Sequence, residues 1–472
     1  MKRFFILIVV GVFCVIVATA ETHDEVRALA REIFKQLIEI NTTDSVGNVT
    51  TAAEAVAKRL RDAGFPEKDV IVAGPNERKK NLVARIPGAG KQKPILLLAH
   101  LDVVEARRED WSTDPFQFVE KDGYFYGRGT VDIKDGDAIL VTNFIRWRRE
   151  GFVPDRDVIL ALTADEEGGT ANGVEWLLKN HRDWIDADFC VNLDGGDFMS
   201  EHGKKIYAAV QASEKVYVDF QLEVRNPGGH SSRPTRDNAI YHLAEGLTRV
   251  ARFQFPVDLN DVTRSMLERS AALETGQRAA DMRAVAKNSH DSAAVGRLSE
   301  DPFYNAILHT TCVATRLDAG HANNALPQRA SANVNCRILP GKDPRKIQAT
   351  LEKVLADPEI KVSQVPTIAA DGTRIEAVSV PPSPLRKDVF GAVERTVNSM
   401  WPGLPALPVM DTGATDGRLL RAAGIPTYGI AGVFLDLDNR RAHGQDERVR
   451  VEDFYDGLEF NYRLLKALAS PQ

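Results

Sequence analysis

Cysteine is scarce in this chain, with four residues in 472. That number excludes a disulfide scaffold and a Cys-rich zinc module. Neither charge sign dominates: 60 Lys and Arg stand against 66 Asp and Glu, for a net charge of −6. The balance argues against nucleic acid as a partner, because a global basic surface is missing. Glycine (34) and proline (23) show no collagen-like bias, and there is no internal repeat or low-complexity tract. What is present is 43% hydrophobic residues, too many for a largely disordered chain. At about 150 residues per domain, two or three domains with their own cores are expected.

The first twenty residues differ from the rest. Lys2 and Arg3 precede an apolar run from Phe4 to Val17, closed by Ala18-Thr19-Ala20. This is a charged region, an apolar region and a small-x-small cleavage site, the pattern of an export signal. As a membrane anchor the run is short of the ~20 residues that span comfortably. The expectation is signal peptide 1–20, removed, with a periplasmic or secreted product and no membrane attachment afterwards. Removal takes the net charge from −6 to −8 and leaves Cys190, Cys312 and Cys336.

Helical spacing marks residues 22–40 and 50–64, and again about 138–149. Three short apolar runs, Ile95–Ala99, Val158–Thr163 and Phe189–Leu193, read as buried strands. Strands alternating with helices predict an α/β domain with a mainly parallel sheet. After about 212 the character changes. Val216–Val224 alternates partly, 239–251 and 259–287 look helical, and strands near 308–317 and 330–339 flank a turn-rich segment. A helix over 344–355 follows, then a Pro-rich linker at 381–384, and alternation resumes up to a final helix near 452–468. The organisation expected is one α/β domain (21–212 and 369–472) interrupted by an α+β domain, 213–368.

Metal-competent side chains fall at strand ends. His100-Leu101-Asp102, Asp165-Glu166-Glu167 and Asp194 each follow one of the three buried strands directly. In an open parallel sheet, sites form outside the carboxyl ends of the strands. A single acid there is an ordinary solvated cap; three strands delivering His and carboxylates to one rim are harder to dismiss. Gly127-Arg128-Gly129-Thr130-Val131-Asp132 lacks the spacing of a phosphate loop and reads instead as a tight loop presenting Asp132. His443 lies in a loop after an apolar stretch. Two His with three or more carboxylates suit a pair of Zn²⁺ ions, whereas Mg²⁺ or Ca²⁺ would not call for imidazole.

With these motifs in order, joined by Gly229-His230-Ser231-Ser232 and Asn324-Ala325-Leu326-Pro327, the sequence resembles a known family. It is similar to the co-catalytic zinc peptidases that include glutamate carboxypeptidase, aminoacylase, peptidase T, carnosine dipeptidase and succinyl-diaminopimelate desuccinylase. The resemblance implies a zinc-exopeptidase-like catalytic domain carrying a lid and dimerisation domain. It implies two Zn²⁺ per chain, with Co²⁺ or Mn²⁺ as alternatives, bridged by the carboxylate of Asp132, and a cis peptide bond between Asp132 and Ile133. His100 and Asp194 would complete one site, Glu167 and His443 the other. Asp102 would orient His100, and Glu166 would be the general base acting on a metal-bridging water. His230 would contact the oxyanion, commonly across a homodimer; Asn324, Arg337 and Thr415 would contact substrate.

Two departures bear on the branch. Asp135 stands where many members have Gly, and the stretch 255–305 is longer than in the smallest members. That length resembles the carboxypeptidase S and secreted N-acyl-amino-acid hydrolase branch, and Asp194 rather than Glu resembles the di- and tripeptidase and carboxypeptidase S-like branches more than aminoacylases or glutamate carboxypeptidase. The substrate expected is a short peptide with a free carboxylate, or alternatively an N-acyl amino acid; a noncatalytic binding protein is disfavoured by the intact Glu166 and ligand set. Cys312 and Cys336 each lie twelve residues from Asn324. In a symmetric hairpin they would oppose one another, close enough for a disulfide; with a bulge they would be small buried hydrophobes.

Overall fold

The computed structural model describes residues 22–368 and 374–470, so the expected signal at 1–20 lies outside them. Among the described residues no helix is long and apolar enough to cross a membrane. The three apolar runs form strands Ile95–His100, Val158–Thr163 and Phe189–Asn192, and every residue in them is buried. Burial on both faces is why they read as unbroken apolar runs rather than alternating ones. With Thr427–Gly429 they form the parallel centre of a ten-stranded sheet, in the order 158–163, 95–100, 189–192, 427–429. On either side of that centre the pairing turns antiparallel, Asn81–Ile86 with 158–163 and Lys204–Glu214 with 427–429, while Ala406–Asp411 lies parallel to Lys204–Glu214. The sheet is therefore mixed, and parallel where the chemistry sits.

Helix Lys134–Glu150 packs with the N-terminal helix His23–Glu39 and the C-terminal helix Val451–Ala469 in the main core. It begins four residues before the expected start, because Lys134, Asp135 and Asp137 are buried and do not look like the start of a core helix. The Nζ of Lys134 donates to the carbonyls of Leu37 and Ile40, both at 2.9 Å. Asp135 is thus a buried first-turn residue, its carboxyl lifted well above the usual range by burial.

A second, antiparallel sheet is ordered 311–319, 329–338, 216–225, 361–365. Helices Ala239–Arg252 and Pro344–Leu355 cover one face through Leu243, Leu351 and Phe220. Between the two sheets the chain passes through Lys215, whose Nζ donates to the carbonyls of Ala306 (2.9 Å) and His309 (2.8 Å). The expected helix 259–287 is two helices, Asp261–Ser270 and Gly276–Lys287, followed by Ser292–Leu298 and Pro302–Leu308. This four-helix segment has its own small core around Leu267 and Met282, while Val262, Met266 and Ile307 join the core of the main sheet. Cys312 and Cys336 are direct cross-strand partners and are joined as a disulfide. The bulge lies nearer the turn, between Ala314 and Arg316, so it leaves their register intact. Cys190 is free and buried.

Candidate metal centre

His100 ends the first central strand, and the turns after the next two carry Glu166, Glu167 and Asp194 to the same rim. The loop before helix Lys134–Glu150 brings Asp132 there, with a cis bond to Ile133. The facing atoms of His100, Glu166 and Asp194 lie within 4.8 Å of one another, as do those of His100, Asp132 and Glu167. His443 completes the cluster: its Nε2 is 3.0 Å from Asp132 Oδ2 and 2.9 Å from Glu167 Oε1.

The tautomer of His100 can be read from its partners. Its Nδ1 is 3.0 Å from the backbone carbonyl of Asp102, an acceptor only, so Nδ1 carries a proton and Nε2 is the nitrogen left to face the acids. That Nε2 is buried and makes no hydrogen bond, although Asp132 Oδ1 is 3.2 Å away. Burial opposes charge on this ring, but Asp132, Asp194 and Asp102 outweigh it and raise its pKa well above the usual value, so the acids call for a positive charge at Nε2: the ring's own proton or, in its place, a metal ion. The donor set therefore fits a metal on this structure's own geometry.

Asp102 serves the site twice. Its backbone oxygen orients His100, while its carboxylate accepts the backbone N–H of Glu166 at 3.1 Å and of Glu167 at 3.0 Å. The carboxylate itself stands 3.7 Å from His100 Nδ1. Burial lifts the carboxyls of Glu166 and Asp194 well above the usual range, and neighbouring carboxylates lift them further. Asp132 moves the other way: burial opposes its charge, but the imidazoles of His100 and His443 outweigh it. Hydrogen bonds to Asp132 and Glu167 raise His443 to about 10. So many acids in mutual contact cannot all ionise without cations among them.

Several residues that build the site are not evident from sequence spacing. Asp416 is buried; Asn172 donates to its Oδ1 at 2.7 Å, while Oδ2 has no partner. It lies near enough to add to the field that lifts Glu166 and Asp194. Buried Lys79 pairs with Asp165, which holds the Glu166–Glu167 turn from behind and accepts Ala171 N–H at 3.0 Å. Arg128 and Glu447 form a buried ion pair. Glu447 also accepts Val131 N–H at 2.9 Å, and Arg128 donates to the Gly444 carbonyl at 3.0 Å. This pair ties the loop of Asp132 to the loop of His443. A basic residue between two glycines and an acid just past His443 were the available signal, but only burial shows that they meet.

Leaving either charge buried alone is costly, about 3–5 kcal/mol. Arg128→Met is therefore expected to lower unfolding free energy by about that much, and Arg128→Met with Glu447→Leu by less. Chemical denaturation of these two variants, Glu447→Leu alone and the wild type checks it; additive losses would show that the two charges do not act as a pair.

The remaining expected site residues lie elsewhere. Gly229–His230 pairs with Ala325–Leu326 in a short ribbon, where His230 is exposed and its Nδ1 sits 2.8 Å from Ser232 Oγ. Asn324 abuts that ribbon through its carbonyl, which accepts Ser231 N–H at 3.0 Å. Arg337, half-buried on strand 329–338, stacks over Tyr217 at 4.7 Å and has no carboxylate within ion-pair distance among the described residues. None of the three reaches the His100 cluster or the cavity beside it. Thr415 does line that cavity, but its Oγ1 donates to Glu214 Oε2 at 3.0 Å, which makes it a support of the loop wall.

Residues 96–467 match the model of Peptidase family M20/M25/M40. The chain belongs to this family. It is similar to the N-fatty-acyl-amino acid synthase/hydrolase PM20D1 of Homo sapiens, at 26% identity over 460 residues, covering 94% of this chain and 88% of the relative. It is also similar to a probable carboxypeptidase S-like 2 of Dictyostelium discoideum, at 27% identity, covering 79% of this chain and 71% of that one. Among solved structures, an M20 family metallo-carboxypeptidase of Sulfolobus solfataricus has the same fold, with a TM-score of 0.68 at 16% identity, covering 93% of this chain and 99% of that one. The chain is accordingly an enzyme of the M20 hydrolase class, with a His/Asp/Glu group able to hold metal. The family match supports the fold class and the carboxypeptidase S-like branch read from the motifs.

Proposed function

We propose that this chain is a dizinc exopeptidase that hydrolyses the amide bond of short peptides with a free carboxylate. The observation that carries the reading is His100: its Nδ1 is locked by a carbonyl, and its bare Nε2 points into a ring of carboxylates. Asp132 would bridge two cations, His100 and Asp194 holding one, Glu167 and His443 the other. Imidazole with carboxylate suits Zn²⁺, and Co²⁺ or Mn²⁺ could substitute. Bound there, the pair would acidify a water held between them and polarise the scissile carbonyl. Glu166 takes the proton from the attacking water and passes it to the leaving nitrogen. Asp102, through the two N–H groups it accepts, keeps Glu166 and Glu167 on opposite tasks.

Residues 213–368 act as a lid and dimerisation domain in this reading. Arg337, which has no carboxylate within ion-pair distance among the described residues, and Asn324 would grip the substrate carboxylate. Val313 (60% exposed) and Leu317 (67%) on edge strand 311–319 offer a surface for a second copy. If His230 works across that dimer, mixing inactive Glu166→Gln and His230→Ala chains restores activity, since one site of the mixed dimer holds both groups. No recovery despite demonstrated subunit exchange would place His230 in its own subunit's site. The disulfide supports export to an oxidising compartment, periplasmic or outside the cell.

A second reading, an N-acyl-amino-acid amidohydrolase, is favoured by a cavity beside Asp132 and Asp194 that Met199, Met266, Phe303 and Leu435 wall in part. The deciding experiment incubates zinc-loaded protein with a mixed library of dipeptides and N-acyl amino acids and identifies the products by mass spectrometry. Free amino acids from dipeptides alone support the first reading, and fatty acids the second. Neither product, with both metals bound, refutes amide hydrolysis.

A further inference from the structure

The loop that carries His230 runs from Asn226 to Asn238, between strand 216–225 and helix Ala239–Arg252. Its tip is placed by the ribbon with Ala325–Leu326 and by the N–H of Ser231, which donates to the Asn324 carbonyl at 3.0 Å. The tip also fixes the imidazole. The backbone N–H of Ser232 donates to His230 Nδ1 at 3.2 Å, so Nδ1 offers a lone pair and Nε2 carries the proton. His230 thus presents an N–H donor, the form that an oxyanion requires.

A second histidine holds the base of the same loop. Asp237 Oδ1 accepts Asn226 Nδ2 at 2.6 Å, which joins the two limbs, and it also lies 3.2 Å from His242 Nε2. His242 stands in the first turn of helix Ala239–Arg252. Its Nδ1 is 2.6 Å from Asp357 Oδ2, just past the end of helix Pro344–Leu355. Carboxylates accept and do not donate, so with one at each ring nitrogen His242 makes both contacts only as the imidazolium. The hydrogen bond to Asp357, joined by its charge and by Asp237, outweighs burial and raises the pKa of the ring above its ordinary value. The other charges at this corner are Arg249, which helps to keep Asp357 ionised, and Glu245, 3.8 Å from Arg249.

The two contacts respond differently to loss of the ring's charge. The side chain of Asp357 is 14% exposed and that of Asp237 69%, so a neutral ring keeps its one proton on Nδ1, toward the buried acid. Its Nε2 then has no proton to give Asp237, and the base of the loop comes free of the helices. The hold is complete below the ordinary histidine pKa of about 6.5 and is lost as pH rises through the raised value.

Resting on the reading in which His230 contacts the oxyanion of an amide hydrolysis, we infer that His242 is a positioning residue: its imidazolium clamps the loop that presents His230 to the helices of the second domain, and the clamp opens when the ring loses its charge.

The test compares the zinc-loaded full chain with His242→Gln and Asp237→Asn at about pH 6 and about pH 9, on either side of the transition. Dividing each kcat by that of His242→Gln at the same pH cancels the titrations of the metal centre, which all three proteins share. For the wild type the ratio should be about two- to fivefold at the lower pH, the worth of a largely exposed ion pair, and fall to about one at the higher. KM should hardly move, because the oxyanion contact is made in the transition state. Asp237→Asn should give a ratio independent of pH, since an amide accepts from a charged ring and donates to a neutral one. Hydrogen exchange of residues 226–238 in chelator-treated protein, corrected for the intrinsic effect of pH on exchange, reads the clamp without catalysis. Wild-type protection should fall between the two pH values by a similar factor, and that of Asp237→Asn should not. Equal protection at both pH values in the wild type, or an equal fall in Asp237→Asn, would overturn the inference. The expected protection with a flat kcat ratio would support the clamp and refute the oxyanion role of His230. The same protection with no amide hydrolysis at either pH would support the clamp and refute the hydrolase reading.

Discussion

Glu166→Gln is expected to abolish turnover while leaving the fold and the bound metal in place. The amide is nearly isosteric with the carboxylate and keeps the backbone N–H that Asp102 accepts at 3.1 Å, so the turn has no reason to move. What is lost is a group that can take a proton from water, and general-base assistance is worth about 10²–10⁴-fold. The geometry makes the experiment discriminating, because Glu166 lies as close to His100 and Asp194 as a ligand would. If Glu166 is the base, elemental analysis finds two metals per chain and kcat falls without a matching change in KM. If it is a ligand, one metal is lost. Near wild-type turnover removes Glu166 from the mechanism.

The site's first half was legible because of how parallel strands are built. A strand buried on both faces shows as an unbroken apolar run, so its carboxyl end can be placed to within a residue, and His100, Glu166, Glu167 and Asp194 follow at once. The flanking strand Lys204–Glu214 was invisible by the same logic. It buries Gln211, Ser213 and Glu214 among small residues, and a buried polar strand has neither an apolar run nor an alternation to betray it.

Helix boundaries failed where polar burial or a break intervened. Lys134, Asp135 and Asp137 look like loop residues, yet all are buried in the first turn of a core helix. In the segment 259–287 the apolar spacing runs on through Ala271 and Leu273 even though the chain turns there, and Gly276 takes up a left-handed conformation, φ +65°, at the start of the next helix. Only packing against two different cores, that of the main sheet and that around Met282, decides where one helix stops. Ion pairs over more than 300 residues, such as Arg128 with Glu447, are legible only in three dimensions. The same holds for Asp416, which stands in the loop expected to supply Thr415 as a substrate contact; there the structure turns Thr415 toward Glu214 and buries Asp416 near Glu166.

Asp132→Ala should have the largest effect on the metals, because both of its oxygens are engaged from opposite sides. Oδ1 is 3.2 Å from His100 Nε2 and Oδ2 is 3.0 Å from His443 Nε2, so one carboxylate faces both proposed sites. Two dications held close together repel, and the anion between them is what makes joint occupancy favourable. Alanine removes that anion and leaves Asp194 with His100, and Glu167 with His443, as separate and weaker partial sites. The variant is expected to retain fewer than two metals per chain after gel filtration in metal-free buffer. Metal bound to the folded state alone also stabilises it, by about 2.7 kcal/mol at a free concentration of 100 times Kd. A chelator should therefore lower the wild-type Tm and leave that of Asp132→Ala nearly unchanged. Two zincs per chain in the variant, or an equal drop in Tm for both proteins on chelation, would show that Asp132 is not the bridge.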